Sequence, residues 1–384
     1  MRAIASLISV ALALAASATA PGAAPASAAA PGAARARAAA VPGAATAGVA
    51  GYAAIQPDLV LRFPDDEGSH PEFRTEWWYV TGWLETPDHR PLGFQVTFFR
   101  TRPTLDTANP SAFAARQLLV GHAAVSDPDR GRLWHEQRIA RAGFGLAAAA
   151  VGHTDLRMRD WMLSAAGTML ELRVTAQEFG YELKLERSQP PLANGRGGYS
   201  QKGPAPESAS GYYSLPQLRV IGRVRRGGTT LPVTGTAWLD HEWSSTYLDA
   251  DGVGWDWVGL NLADGGALMA FRIRDRQGRQ RWAGGTLRRP DGSLVSFAPG
   301  EIAFEPGRRW RSPRTAVEYP VAWRLRAGAL EVALEPLMDD QESDSRLTTG
   351  AIYWEGAVRA CAAGRPLGRG YLELTGYGEP LRLR

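Results

Sequence analysis

The sequence has little cysteine, little lysine and few long apolar runs, and each shortage excludes something. Cys361 is the only cysteine among 384 residues, so no disulfide forms within the chain and the fold must rely on core burial. Lys184 and Lys202 are the only lysines, and almost all the positive charge is arginine scattered beside acidic residues. Because the formal net charge is only +4, this pattern does not indicate a nucleic-acid partner.

The first 50 residues differ in composition from the rest of the chain. Arg2 precedes an apolar run from Ala3 to Ala16, which is too short to span a bilayer and is followed by small residues. Residues 1–20 are therefore predicted to be a signal peptide, with the protein exported to the periplasm or outside the cell. Residues 21–50 are almost all alanine, proline and glycine, which is typical of a disordered tether. No later run has the length and apolarity of a transmembrane helix, so we expect a membrane-proximal protein at most.

From Trp77 onward the pattern is that of short β-strands. Apolar and polar residues alternate in runs such as Leu170–Val174, and glycine-rich turn signals separate these runs. About nine strands are predicted before Asp240 and about eight after Gly254, with one short helix over residues 109–117. Antiparallel strands that close on themselves enclose room for one small ligand and leave no exposed sheet edge. The sequence therefore predicts an all-β fold of two tandem antiparallel β-barrels, residues 51–246 and 247–384, with residues 189–210 as a loop in the first.

Tryptophan recurs beside carboxylates in three segments. These segments are Thr75–Tyr79, Leu239–Trp243 and Gly254–Trp257. An acid among aromatic rings has its charged form desolvated, so its pKa rises and it keeps a proton near neutral pH. That behaviour suits a general acid in an apolar pocket. The alternative is that these are strand-end aromatics beside hydrogen-bonded carboxylates.

Residues 238–242 alternate between the two faces of a strand. Trp238, Asp240 and Glu242 share one face, and His241 takes the other. Two carboxylates close together disfavour joint ionisation, so one of them would hold a proton. Adjacent strand residues cannot all converge on one metal ion, and the other histidines show no paired ligand spacing. Because no Gly-x-Ser-x-Gly elbow occurs either, we expect neither a metal nor another cofactor.

Several motifs resemble those of the lipocalin-like AttH family. The matching segments are His70–Glu72, Thr75–Gly82, Gly93–Arg100, Gly235–Trp243, Trp255–Trp257, Tyr353–Gly356 and Gly370–Tyr377. The resemblance spans nearly everything after the tether and implies two lipocalin-like barrels. The family is similar to bacterial carotenoid 1,2-hydratases, and it is often labelled a predicted secreted hydrolase or a component beside an ABC transporter.

Hydratase chemistry requires an acid that protonates an alkene and a shielded cation to which water then adds. Aromatic faces stabilise such a cation, and an acid of raised pKa supplies the proton. The resemblance implies the proton-donor role for Asp240, and we expect Glu242 and His241 to act with it. The residues expected to bind the ligand are Glu76, Trp78, Tyr79, Gln95, Trp238, Trp243, Trp255, Asp256 and Trp257.

Two functions of different classes follow. In the first, an exported, cofactor-independent enzyme hydrates or hydrolyses an apolar isoprenoid or lipid. A plain hydrolase, in which Asp240 or Glu242 activates water, is a variant of this class. In the second, the protein is a non-catalytic carrier of the same kind of ligand and works beside an ABC transporter permease.

Overall fold

The computed structural model describes residues 51–103 and 110–381. The predicted signal peptide (1–20) and tether (21–50) lie outside the described residues. Within the described residues, the only helices are two single-turn 3₁₀ helices, Asp65–Glu67 and Pro299–Glu301. None of the helices found there is long and apolar enough to cross a membrane.

The first sheet contains thirteen antiparallel strands and curls into a nearly closed barrel. Its strands are β1 (Thr75–Glu85), β2 (Pro91–Thr101), β3 (Leu118–Ser126), β4 (Trp134–Arg141), β5 (Ala147–Ala149), β6 (Asp155–Met158), β7 (Trp161–Ala166), β8 (Met169–Thr175), β9 (Phe179–Glu186), β10 (Leu192–Ala193), β11 (Tyr199–Gln201), β12 (Ala209–Arg226) and β13 (Thr229–Ser244). The order across the sheet is β4-β3-β2-β1-β13-β12-β9-β8-β7-β6-β5, and the short β10 and β11 pair with β12.

The second sheet contains ten strands from the C-terminal part of the chain. Its strands are β14 (Gly254–Leu262), β15 (Ala267–Arg274), β16 (Gln280–Arg288), β17 (Leu294–Phe297), β18 (Ile302–Pro306), β21 (Trp323–Ala327), β22 (Leu330–Pro336), β23 (Glu342–Ser345), β24 (Ala351–Ala362) and β25 (Arg365–Leu374). The order is β17-β16-β15-β14-β25-β24-β22-β21-β18, with β23 beside β24. A separate two-stranded sheet is formed by β19 (Arg309–Arg311) and β20 (Glu318–Pro320).

The all-β prediction is confirmed, and the predicted turn signals connect consecutive strands. At the β12–β13 turn, for example, Gly227 has φ 56°, a conformation that favours glycine. Residues 245–253 connect the two sheets, and the predicted domain boundary at 246/247 lies within this connection.

Two local expectations were wrong. Residues 110–117 form turns and bends instead of a helix. Phe113, the only large apolar side chain there, is 75% exposed, so no apolar face is buried that would stabilise a short helix. Residues 189–210 are not simply a loop, because β10 and β11 within them pair with β12.

Large apolar side chains fill the interior of the first barrel. Trp78, Phe94 and Phe98 belong to this core, and all three are almost fully buried. A second core lies on the second sheet, and a third group containing Tyr79 and Trp257 packs between the sheets. Among the described residues, a cavity lies between the two sheets, and the candidate site is built around it.

Candidate functional site

A cavity of about 960 Å³ separates the two sheets. Strands β1, β2, β3 and β13 form one wall, and β14, β15, β24 and β25 form the opposite wall. Its volume lies in the range of pockets that enclose drug-sized ligands. Trp77 stacks on Tyr247 with ring centroids 4.5 Å apart, and Trp255, Trp257 and Phe271 add further aromatic surface. The lining suits an apolar guest.

Strand alternation on β13 directs Asp240 and Glu242 to this cavity and His241 to the opposite face. On β1, the same alternation brings Tyr79 to the cavity beside Asp240, to which it is the cross-strand neighbour. Trp238 does not line the cavity directly but contacts Asp240 from within the wall.

Asp240 is a buried carboxyl surrounded by neutral hydrogen-bond donors. Tyr212 Oη donates to Oδ2 at 2.6 Å, while Ser214 Oγ and Trp238 Nε1 donate to Oδ1 at 2.5 and 2.6 Å. Burial raises the pKa of Asp240 to about 7, although the three donors oppose the rise. The charge of Glu242 contributes to the rise. Asp240 therefore exchanges a proton near neutral pH.

Glu242 has a charged partner, unlike Asp240. Lys202 Nζ lies 2.8 Å from Glu242 Oε1, and the Ser210 hydroxyl donates to the same oxygen. The Lys202 ammonium also lies 4.0 Å from the centroid of the Phe271 ring, so it is held within the cavity wall.

The second sheet adds two acids that the sequence analysis did not include in the site. Glu355 and Glu373 are direct cross-strand neighbours on β24 and β25, and both line the cavity. Burial raises the pKa of both, and that of Glu373 reaches about 8. The available signal in each case was an acidic residue next to a large apolar one, Trp354 before Glu355 and Leu372 before Glu373.

His122 is a neutral imidazole in the cavity wall, because burial lowers its pKa to about 3. Thr348 Oγ1 donates to Gln137 Oε1 at 2.7 Å, so it accepts from His122 Nε2–H at 2.8 Å. His122 Nδ1 is then the acceptor for the Tyr353 hydroxyl at 2.6 Å. These bonds fix the ring tautomer and hold Tyr353 against the cavity.

A different polar cluster lies on the barrel side of the same strands. Glu76 accepts from Arg100 Nε at 2.7 Å and is 2.7 Å from His70 Nδ1 and 2.9 Å from His241 Nε2. The pKa of Glu76 lies well below its usual value, because these bonds outweigh the effect of burial. Hydrogen bonds to Asp66 and Glu76 raise the pKa of His70 to about 9, against the effect of burial, whereas burial lowers that of His241.

The cluster has the composition of a metal site. The ligand atoms of His70, Glu76 and His241 lie within 4.8 Å of one another. Each of these atoms already has a hydrogen-bond partner in the protein, and Arg100 balances the Glu76 charge. These contacts make the cluster a buried network of hydrogen bonds and ion pairs.

The remaining predicted residues divide between the wall and other places. The cavity is lined by Tyr79, Asp240, Glu242, Trp255 and Trp257. The predicted residues outside the lining are Glu76, Trp78, Gln95, Trp238, His241, Trp243 and Asp256. Among these, Trp78 and Trp243 stack on His241 and His70 of the ion network. Asp256 faces away from the cavity and pairs with Arg272 and Arg274.

Comparisons place these features in a wider group of proteins. The model of the AttH-like family matches residues 54–377. A crystal structure identified as AttH from Nitrosomonas europaea is 50% identical, with a TM-score of 0.80 over 85% of this chain and 99% of that chain. The structure of kievitone hydratase from Nectria haematococca is 15% identical, with a TM-score of 0.64 over 85% and 96% of the two chains. A search of curated proteins found no match.

Proposed function

The chain belongs to the AttH-like family, and from that premise we propose that it is a cofactor-independent hydratase of an apolar isoprenoid or lipid. Asp240 carries this proposal, because it is a buried carboxyl of pKa about 7 on the wall of an aromatic cavity. A kievitone hydratase shares the fold. That likeness concerns the fold alone, so the proposal depends on the residues of this cavity.

In the first step, the carboxyl proton of Asp240 passes to one carbon of the double bond. The π electrons form the new C–H bond, and the other carbon becomes a tertiary cation. The donors from Tyr212, Ser214 and Trp238 stabilise the carboxylate that Asp240 becomes. The face of Trp257 stabilises the cation through its quadrupole.

In the second step, the oxygen of a water molecule bonds to the cation and releases one proton. The product is a tertiary alcohol, and the sum of the two steps is the addition of one water. Enclosure of the cation between the sheets protects it from other nucleophiles until this water adds.

The competing function is a carrier with the same cavity and no turnover. The apolar lining favours ligand retention, which a carrier also needs. We also propose that residues 1–20 direct export of the protein. In the carrier function, the protein would work beside an ABC transporter permease. Hydrolysis, with Asp240 or Glu242 activating water, is a variant of the proposal, in which Lys202 and Ser210 would hold Glu242 through its Oε1.

The test is incubation of the purified protein with farnesol, geranylgeraniol and squalene in deuterium oxide, followed by mass spectrometry. We expect an alcohol that has gained one heavy water, with deuterium on the adjacent carbon. Asp240→Asn should lower the rate by about 10²–10⁴-fold, the usual contribution of a general acid. Asp291→Asn, in an exposed turn, is the matched control and should retain activity. Recovery of unchanged alkene together with co-purified lipid would favour the carrier.

A further inference from the structure

We infer that Tyr79 and Glu355 donate a hydrogen bond to a carbonyl oxygen of the ligand, so the ligand is an apolar ketone or aldehyde and not a hydrocarbon. The inference rests on the proposal that this cavity takes an apolar isoprenoid or lipid, and it names the class of that ligand. It applies to the hydratase and to the carrier alike, because it concerns binding and not turnover.

Tyr79 and Glu355 meet from the two opposite walls of the cavity. Tyr79 projects from β1 and Glu355 from β24, and both line the cavity. Both are buried, with 5% and 2% of their surfaces exposed. The Tyr79 hydroxyl lies against the Glu355 carboxyl. Among the described residues, no other side chain makes a hydrogen bond to that carboxyl.

The Glu355 carboxyl is neutral near neutral pH. Burial and the charge of Glu373, its cross-strand neighbour on β25, raise the pKa of Glu355 well above its ordinary value. No cation of the described part of the chain acts on Glu355 to oppose this rise. Glu355 is therefore a carboxylic acid with an O–H group of its own.

The pair has one more O–H group than it can use. Tyr79 and the neutral Glu355 each carry one O–H, and the hydrogen bond between them uses only one of these donors. Whichever of the two donates to the other, the remaining O–H has no acceptor within the described residues. Buried donors normally have a partner, and both residues line the cavity, so we assign the missing acceptor to the bound ligand.

A carbonyl oxygen fits this vacancy in an otherwise apolar surrounding. The Tyr79 ring meets Trp257 edge to face, with ring centroids 5.4 Å apart, so the rest of the ligand lies against aromatic surface. A carbonyl accepts a hydrogen bond and brings no further donor that would have to be buried. A hydrocarbon would leave the O–H unsatisfied, and a site built around a hydrogen bond discriminates against a ligand that lacks it.

Geranylacetone and the hydrocarbon in which a methylene group replaces its carbonyl form a matched pair of ligands. Each is titrated into the purified protein while tryptophan fluorescence is recorded. In the double variant Tyr79→Phe/Glu355→Leu, the affinity for the ketone relative to the hydrocarbon should fall about tenfold, the size of one lost hydrogen bond. Each single variant keeps one O–H group in the pair and should lower the ratio less.

The matched control is Tyr319→Phe/Glu331→Leu, which makes the same two changes outside the cavity lining. Its ratio of ketone to hydrocarbon affinity should equal that of wild type. An unchanged ratio in the cavity double variant would overturn the inference, because the two O–H groups would then contribute nothing to ketone binding.

A second measurement needs only the wild-type protein and decides the matter if the double variant does not fold. The infrared stretch of an isotope-labelled carbonyl in geranylacetone is recorded in the bound state and in hexane. A hydrogen bond weakens the C=O bond, so the bound ketone should absorb at lower frequency; equal frequencies would overturn the inference. Geranylacetone that binds with the lowered frequency but is never hydrated would count against the hydratase and would support the carbonyl site.

Discussion

The two faces of strands β1 and β13 carry two buried acids with opposite behaviour. Glu76 points into the first barrel, where Arg100 and His70 surround it and its pKa is lowered. Asp240 points into the cavity, where only neutral groups donate to it and its pKa is raised to about 7. Both are almost fully buried. Burial alone therefore does not decide whether an acid is structural or reactive.

The hydrogen-bond partners make the difference. The bonds from His241 and His70 lower the pKa of Glu76 most, and the charge of Arg100, whose Nε lies 2.7 Å from the Glu76 carboxylate, adds to them. The donors around Asp240 carry no charge, so desolvation prevails there. Glu242, on the same face as Asp240, has Lys202 as a charged partner. The partners of Asp240 are all neutral.

The largest expected effect on stability is that of Glu76→Gln. It leaves Arg100 and His70 buried without their counter-charge, which should lower the free energy of unfolding by about 3–5 kcal/mol. Urea unfolding at neutral pH measures this change. Glu331→Gln, on an exposed position of β22, is the control and should change stability by less than about 0.5 kcal/mol. A small effect of Glu76→Gln would mean that the network does not hold the barrel together.

The next effect is a pH dependence that belongs to Asp240. Because its pKa of about 7 in the folded protein exceeds the ordinary 3.8, folded Asp240 keeps a proton that the unfolded chain releases. Its stabilising contribution is complete below about pH 4 and is lost as the pH rises toward 7. Relative to Asp240→Asn, wild type should lose on the order of 3 kcal/mol across this window. Parallel unfolding curves for the two proteins would contradict a raised pKa.

The smallest expected effect is that of Glu242→Gln on the pKa of Asp240, which lies on the same face of β13. Glu242→Gln removes a negative charge that raises the pKa of Asp240, and it leaves Lys202 unpaired nearby. The alkaline limb of the pH–activity profile should shift slightly toward lower pH, and kcat should fall by less than about tenfold. A shift toward higher pH would show that Glu242 acts on Asp240 through something other than its charge.

The sequence was sufficient for the strand pattern and for the division of β13 into two faces. Alternation with a period of two is enough to place Asp240 and Glu242 on one side of the strand and His241 on the other. It could not say which face meets a cavity. That depends on how two sheets pack, and their contacting residues are far apart in the chain.

The same limit explains the residues that were missed or misplaced. Glu355 and Glu373 enter the site only because β24 and β25 pair and lie opposite the first sheet. Lys202 lies in a segment whose glycine and proline content is typical of a loop. Glu76 was expected to bind ligand because a tryptophan follows it, but alternation turns it into the barrel. Aromatic neighbours alone did not distinguish an ion network from a reactive acid.

The titration of Asp240 itself is the most direct test of its role as a proton-donating acid in the cavity wall. Carbon NMR of protein labelled at the aspartate carboxyls follows each group with pH, and Asp240→Asn assigns the resonance. We expect a midpoint near pH 7 for Asp240. A midpoint at or below the ordinary value of about 4 would contradict it, because Asp240 would then hold no proton to donate near neutral pH.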